Sequence, residues 1–115
     1  MNTRIYHNPR CSKSRETLAL IEDKGISPEI ILYLETPPSR DELKEILIKL
    51  KLTARDIIRS GEQIYKELDL GDEKLDDNVL ITAMVKHPIL IERPIVVKGK
   101  YAKLARPPEK VLEIL

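Results

Sequence analysis

Arg4-Ile5-Tyr6-His7-Asn8-Pro9-Arg10-Cys11-Ser12-Lys13-Ser14-Arg15 is the stretch that decides the fold. Arg4 to Tyr6 reads as a short strand. Ser14 to Lys24 reads as a helix, closed by the stop signal Lys24-Gly25. The only cysteine of the chain, Cys11, falls in the turn between them. At such a turn, backbone N–H groups and the helix dipole favour an anion. Arg10, Lys13 and Arg15 add cations within four positions, and cations beside a helix start lower a thiol pKa. A cysteine packed as a small hydrophobe is the alternative, and the polar, charged flanks argue against it.

Working outward, Glu29 to Leu34 is apolar and β-branched and reads as a buried strand. The first segment is therefore β-α-β, with a crossover long enough for a parallel pair. Thr36-Pro37-Pro38 breaks the chain. Ser39 with Glu42 forms a capping-box pattern, and Leu43, Ile46, Leu47 and Leu50 then share one helix face. Thr53 and Asp56 open a short helix containing Ile57 and Ile58. Glu62 to Asp69 forms another with Tyr65 and Leu68 inward. Asp76 or Asp77 caps a further helix that stops at His87-Pro88. Ile95-Val96-Val97, the turn Lys98-Gly99-Lys100 and Tyr101 to Ala105 make a β-hairpin. Pro107-Pro108 starts a last helix with Val111, Leu112 and Leu115 as its apolar face. The order β-α-β, helices, β-β-α gives an α/β protein. We read residues 1–115 as a single domain, with its core in about 1–36 and 88–115. A helical insertion of about 37–87 packs on the sheet.

With 115 residues, 42% of them hydrophobic, 34% charged and a net charge of +1, the composition is that of an ordinary globular domain. No global field points to nucleic acid or an anionic membrane. With four Tyr and neither Phe nor Trp, the core must be built from Ile, Leu and Val. The longest apolar run, Ile30 to Leu34, is too short to span a bilayer, and no apolar leader region follows Met1. One cysteine makes no internal disulfide, so the reading is cytoplasmic.

Ser14 lies three positions after Cys11, where a C-x-x-C motif holds its second thiol. A hydroxyl there can hydrogen-bond a thiolate but cannot close a disulfide. Any resolving sulfur must come from another molecule. The alternative for Ser14 is a plain helix-start hydroxyl. Arg59, Arg93 and Arg106 each end an apolar element beside a structure breaker. Arginine forks match tetrahedral oxyanions, although an arginine ending a strand is more often a solvated charge. His7 either tunes the thiolate or serves as a polar loop residue, and His87 suits a helix C-terminus. No spacing suits a metal site, and no Gly-rich phosphate loop is present.

His7-Asn8-Pro9-Arg10-Cys11-Ser12-Lys13-Ser14-Arg15-Glu16-Thr17-Leu18 resembles the active-site segment of the glutaredoxin-coupled arsenate reductase (ArsC) family. Leu32-Tyr33-Leu34-Glu35-Thr36-Pro37-Pro38-Ser39, Arg93-Pro94-Ile95-Val96-Val97 and Arg106-Pro107-Pro108-Glu109 extend the resemblance in the same order. The Arg10-Cys11-Ser12-Lys13-Ser14 form resembles a short subgroup. The resemblance implies a thioredoxin-like fold with a helical insertion. Cys11 becomes the nucleophile, His7 and Ser14 stabilise its thiolate, and Arg59, Arg93 and Arg106 bind the oxyanion. Pro94 would match the cis-proline of that fold. The activity implied is reduction of arsenate to arsenite, with glutathione as co-substrate, glutaredoxin as partner and no bound cofactor. The competing readings are a thiol–disulfide oxidoreductase acting on another substrate and an RNA-polymerase-binding redox regulator. Ser14 removes the C-x-x-C switch such regulators often use.

Overall fold

Burial on both faces marks the first element as a central strand: Ile5 and its neighbour Tyr6 are both buried in β1 (Thr3–Tyr6), a strand of a computed structural model that describes residues 2–115. Met1, where the expected domain begins, lies outside the described residues. Helix α1 (Ser12–Asp23) begins two residues before the expected Ser14, with Cys11 as its N-cap residue. The Arg15 amide donates to the Cys11 carbonyl at 3.0 Å, so helical bonding starts at the cysteine itself. Gly25 takes the left-handed φ of 77°, and its amide closes on the Glu22 carbonyl at 2.9 Å, which ends the helix.

Strand β2 (Glu29–Ile31) is shorter than expected and is not buried. Glu29 and Ile30 are exposed because β2 is an edge strand. The amides of Glu35 and Thr36 both turn back to the Leu32 carbonyl at 2.9 Å, which stops the strand. An apolar run alone does not separate an edge strand from a central one.

The hairpin forms as expected, from β3 (Ile95–Lys98) and β4 (Tyr101–Leu104), with Gly99 at φ 60° in its turn. The sheet order is β2-β1-β3-β4, with β1 parallel to β2 and antiparallel to β3. Ile5 pairs with Ile30 on one side and Val96 on the other. The last segment, Pro108–Glu113, is a 3-10 helix rather than a full α-helix, and it packs against α1. Val111 is buried there, but Leu112 is 42% exposed, contrary to expectation, since three residues per turn do not keep neighbouring positions on one face. Ile5, Ile21, Val96, Ala105 and Val111 form the core of this unit, with Leu18, Leu20 and Leu115 packed against it.

The chain divides into two compact units: residues up to Thr36 together with Arg93–Leu115, and Pro37–Glu92. The second contains α2 (Arg40–Leu50), α3 (Ala54–Ile57), α4 (Gln63–Glu67) and α5 (Asp77–Lys86), then a 3-10 turn at Pro88–Leu90. Ser39 caps α2 by accepting the Glu42 amide at 3.1 Å, and Asp76 caps α5 by accepting the Val79 amide at 3.0 Å. Helix α5 packs against α2, α3 and the 3-10 turn, burying Leu43, Leu80 and Met84. Leu68 is exposed rather than inward, and Leu70 is buried in its place, because five-residue α4 ends before a second turn can build a face. Ile58 leaves α3 and bridges Ile91 antiparallel, with Arg59 N–H donating to Leu90 O and Glu92 N–H to Ile57 O, each at 2.8 Å. This pairing ties residues 88–92 to the helical unit.

Candidate active site

Register brings the chemistry together at one end of the sheet. Tyr6 pairs with Ile95, so the turn after β1 lies beside the residues that precede β3, Arg93 and Pro94. The Ala105 amide donates to the Pro94 carbonyl at 3.0 Å, which carries the hairpin ladder to the same end. Arg106 Nη1 then donates to the Arg93 carbonyl at 3.0 Å. The Arg93–Pro94 peptide is cis, as is Arg106–Pro107.

The turn is a closed hydrogen-bonded loop. The His7 amide donates to Ile31 O at 2.8 Å, the Cys11 amide to Asn8 O at 3.0 Å and the Arg10 amide to Asn8 Oδ1 at 3.0 Å. Arg15 Nη1 donates to the Pro9 carbonyl at 2.9 Å, closing the loop from outside. Cys11 is half-buried and its thiol is free. Burial pushes the thiol pKa up. The Ser14 amide, then the Arg93 guanidinium and the Lys13 amide outweigh that, and Cys11 is held below the ordinary thiol value. The helix start supplies two N–H donors and the sheet register supplies the cation.

Ser14 acts differently from expectation. It reaches the sulfur through its backbone amide. Its hydroxyl, fully buried, lies 2.6 Å from His7 Nδ1 and accepts the Asn8 amide at 3.1 Å. His7 is 5% exposed, and burial first, then the Arg15 charge, lowers its pKa. A neutral imidazole offers one donor and one acceptor nitrogen. With Nε2 protonated, the Ser14 hydroxyl donates to Nδ1. With Nδ1 protonated, the hydroxyl proton is released for another acceptor.

Arg59 belongs to the helical unit. Its Nε donates to Glu62 Oε2 at 3.1 Å and its Nη1 to Glu92 Oε1 at 2.6 Å. Burial lowers its pKa, but these two carboxylates raise it further, so the group stays cationic. Among the described residues no cluster of His, Cys, Asp or Glu is arranged to hold a metal ion, and no helix is long and apolar enough to cross a membrane.

The ArsC family model matches residues 6–114. This chain belongs to the ArsC family. An uncharacterised protein of Escherichia coli K12, YfgD, is 53% identical over 97% of this chain and 95% of its own length. An arsenate reductase of Haemophilus influenzae is 52% identical over the full length of both chains. The solved structure of an arsenate reductase from Vibrio cholerae is 58% identical, superposes with a TM-score of 0.96 and covers 100% of this chain and 98% of its own. The ArsC fold of this chain is thioredoxin-like, with the helices of Pro37–Glu92 inserted between β2 and β3.

Cys11, Ser14, His7, Arg93 and Arg106 all lie in the thioredoxin-like unit of this ArsC protein, and Arg59 lies in the helical one. The sequence reading missed Asn8 as the knot of the cysteine turn, although Asn-Pro is a turn signal that could have marked it. It also missed Glu62 and Glu92. Glu62 stands three residues after Arg59, and three residues is a contact spacing on any helical turn.

Proposed function

We propose that this ArsC protein is an arsenate reductase that converts arsenate to arsenite with glutathione and glutaredoxin as external reductants. The supporting observation is a single half-buried thiol, held below its ordinary pKa at a helix start beside Arg93, in a chain about half identical over full length to arsenate reductases. Cys11 is the nucleophile. Its thiolate attacks arsenic(V), forming an S–As bond as an oxygen leaves as water. Arg93, Arg106 and Arg59 hold the oxyanion oxygens through charge-assisted bonds. A glutathione thiol then attacks the Cys11 sulfur, and a Cys11–glutathione disulfide forms. The S–As bond breaks with its electron pair leaving on arsenic as arsenite, and glutaredoxin reduces the mixed disulfide. Two thiols give two electrons, arsenic(V) becomes arsenic(III), and Cys11 returns as a thiol. The absence of a second cysteine suits this external route. His7 and Ser14 tune the thiolate by fixing the turn from which the Ser14 amide points. Burial and Arg15 favour a neutral His7, which suits an acceptor for the hydroxyl. No bound cofactor enters the scheme, and a lone reduced cysteine fits the cytoplasm.

Arsenite formation from arsenate, glutathione and glutaredoxin is the test, run alongside Cys11→Ser. We expect turnover in the wild type and a loss of at least roughly 1,000-fold in the variant, the scale of removing a covalent nucleophile. No wild-type arsenite sinks the substrate assignment. Equal turnover in Cys11→Ser sinks the nucleophile.

A further inference from the structure

Arg10, Lys13, Arg15 and Arg93 stand around the cysteine turn, and three of them are engaged. Arg93 holds the Cys11 sulfur. Arg15 Nη1 is bonded to the Pro9 carbonyl at 2.9 Å, and Lys13 Nζ faces Glu16 Oε2 at 3.9 Å. Arg10 is exposed, and among the described residues its guanidinium has no hydrogen-bond or ion-pair partner. Its backbone is nonetheless pinned. The Arg10 amide donates to Asn8 Oδ1 at 3.0 Å, and the Cys11 amide closes the turn Asn8-Pro9-Arg10-Cys11 on Asn8 O at 3.0 Å. Asparagine first and proline second suit such a turn. Asn8 is buried, and its own amide is bonded to Ser14 Oγ. A fixed turn thus carries a free guanidinium one residue before the nucleophile.

An exposed arginine is usually a solvated charge. The charge of the arriving thiol gives this one a task. Glutathione carries two carboxylates and one ammonium, and it approaches a sulfur that already bears an oxyanion. Like charges oppose that approach. Its glycine carboxylate lies one residue beyond the attacking cysteine, and Arg10 lies one residue before the attacked one. A disulfide holds its two Cα atoms about 5.5–6 Å apart, and each neighbour is about 3.8 Å further along its chain. Bond formation between the sulfurs therefore leaves that carboxylate within reach of the Arg10 side chain. We propose that Arg10 is a specificity-determining residue that pairs with the glycine carboxylate of the incoming glutathione. The proposal rests on the reading that glutathione resolves Cys11. An arginine fork matches a carboxylate bidentately. Arg10 then separates glutathione from thiols that lack the carboxylate, while amides and Arg93 set the reactivity of the sulfur.

Thiol exchange on Cys11 tests this without arsenate. Cys11 is first converted to its mixed disulfide with 2-pyridinethiol, an uncharged leaving group. The glutathione thiolate attacks the Cys11 sulfur and forms the new S–S bond. The bond to the pyridine sulfur breaks with its electron pair on that sulfur, and the product takes up a proton and is read by absorbance. The same rate is measured with glutathione ethyl ester, which has the same attacking thiol but no free glycine carboxylate. The glutathione-to-ester rate ratio should fall about threefold in Arg10→Ala, the scale of an exposed charge pair, and further in Arg10→Glu. Arg10→Gln repeats the test with most of the stem kept. In 1 M salt, where charges are screened beyond about 3 Å, the wild-type ratio should fall toward that of Arg10→Ala. A ratio unchanged by Arg10→Ala overturns the assignment. Equal slowing of both thiols shows that Arg10 acts on the sulfur instead, and the proposal fails. Release by neither thiol from the wild-type protein sinks the external-thiol reading itself, and the proposal with it.

Discussion

The two units hold their cations by different physics. Around Cys11 the geometry comes from the main chain. Helix-start amides meet the sulfur, strand register sets Arg93, and the Arg93 carbonyl receives Arg106. In the helical unit Arg59 is set by side chains, two carboxylates on one guanidinium. Backbone placement survives most point substitutions, because amides and register do not depend on side-chain identity. Side-chain placement depends on two particular glutamates. The left-handed positions differ in the same way: Gly25 and Gly99 in the thioredoxin-like unit, but Lys51 (φ 59°) and Asp69 (φ 53°) in the helical unit.

After loss of the nucleophile itself, the largest effect expected inside the thioredoxin-like unit comes from Arg93→Ala, which removes a charged partner from both thiolate and oxyanion. Arsenate binding should weaken by about 1.5–3 kcal/mol, roughly ten- to a hundredfold, as read by protection of Cys11 from alkylation. Unchanged protection would mean that register places Arg93 there for some other reason. Ser14→Ala comes next and separates backbone from side chain. It strands the buried Asn8 N–H and His7 Nδ1, and should cost about 1–3 kcal/mol in urea unfolding. The thiol should still titrate low, since the amide of residue 14 remains. A thiol that returned to its ordinary range would show that the hydroxyl, not the main chain, holds the charge. The smallest effect is Lys51→Gly. It relieves a left-handed φ at the end of α2 and should stabilise the protein by about 0.5 kcal/mol, the relief being partly offset by glycine's freedom in the unfolded chain. A loss of stability would mean that Lys51 is held there by contacts worth more than the strain.

The same contrast explains what could be read from residues alone. The β1 turn, α1, α2 and the hairpin were legible because Gly25, Ser39 and Gly99 punctuate them and apolar spacing fills them. The edge position of β2 was not, because Ile30-Ile31-Leu32 looks the same at a sheet edge as at its centre. The swap of Leu68 for Leu70 was not, because a five-residue helix has no periodicity to detect. In the site, Cys11 was visible as a side chain at a helix start. The Ser14 amide was invisible, since every residue carries one and only geometry aims it. The glutamate clamp on Arg59 was half visible: Glu62 is three residues away, whereas Glu92 arrives through the Ile58–Ile91 pairing, a contact 33 positions apart.

The thiol titration also bears on stability. A pKa lowered in the native state stabilises the fold above the unfolded thiol's pKa, and that contribution is lost as pH falls through the native value. The most direct measurement of the Cys11 thiolate is therefore its rate of alkylation by iodoacetamide against pH, in the native protein and in the same protein unfolded in urea. The result expected is a native midpoint clearly below the unfolded one, moving upward in Arg93→Ala. A native midpoint at or above the unfolded one would contradict a thiolate held by helix-start amides and Arg93.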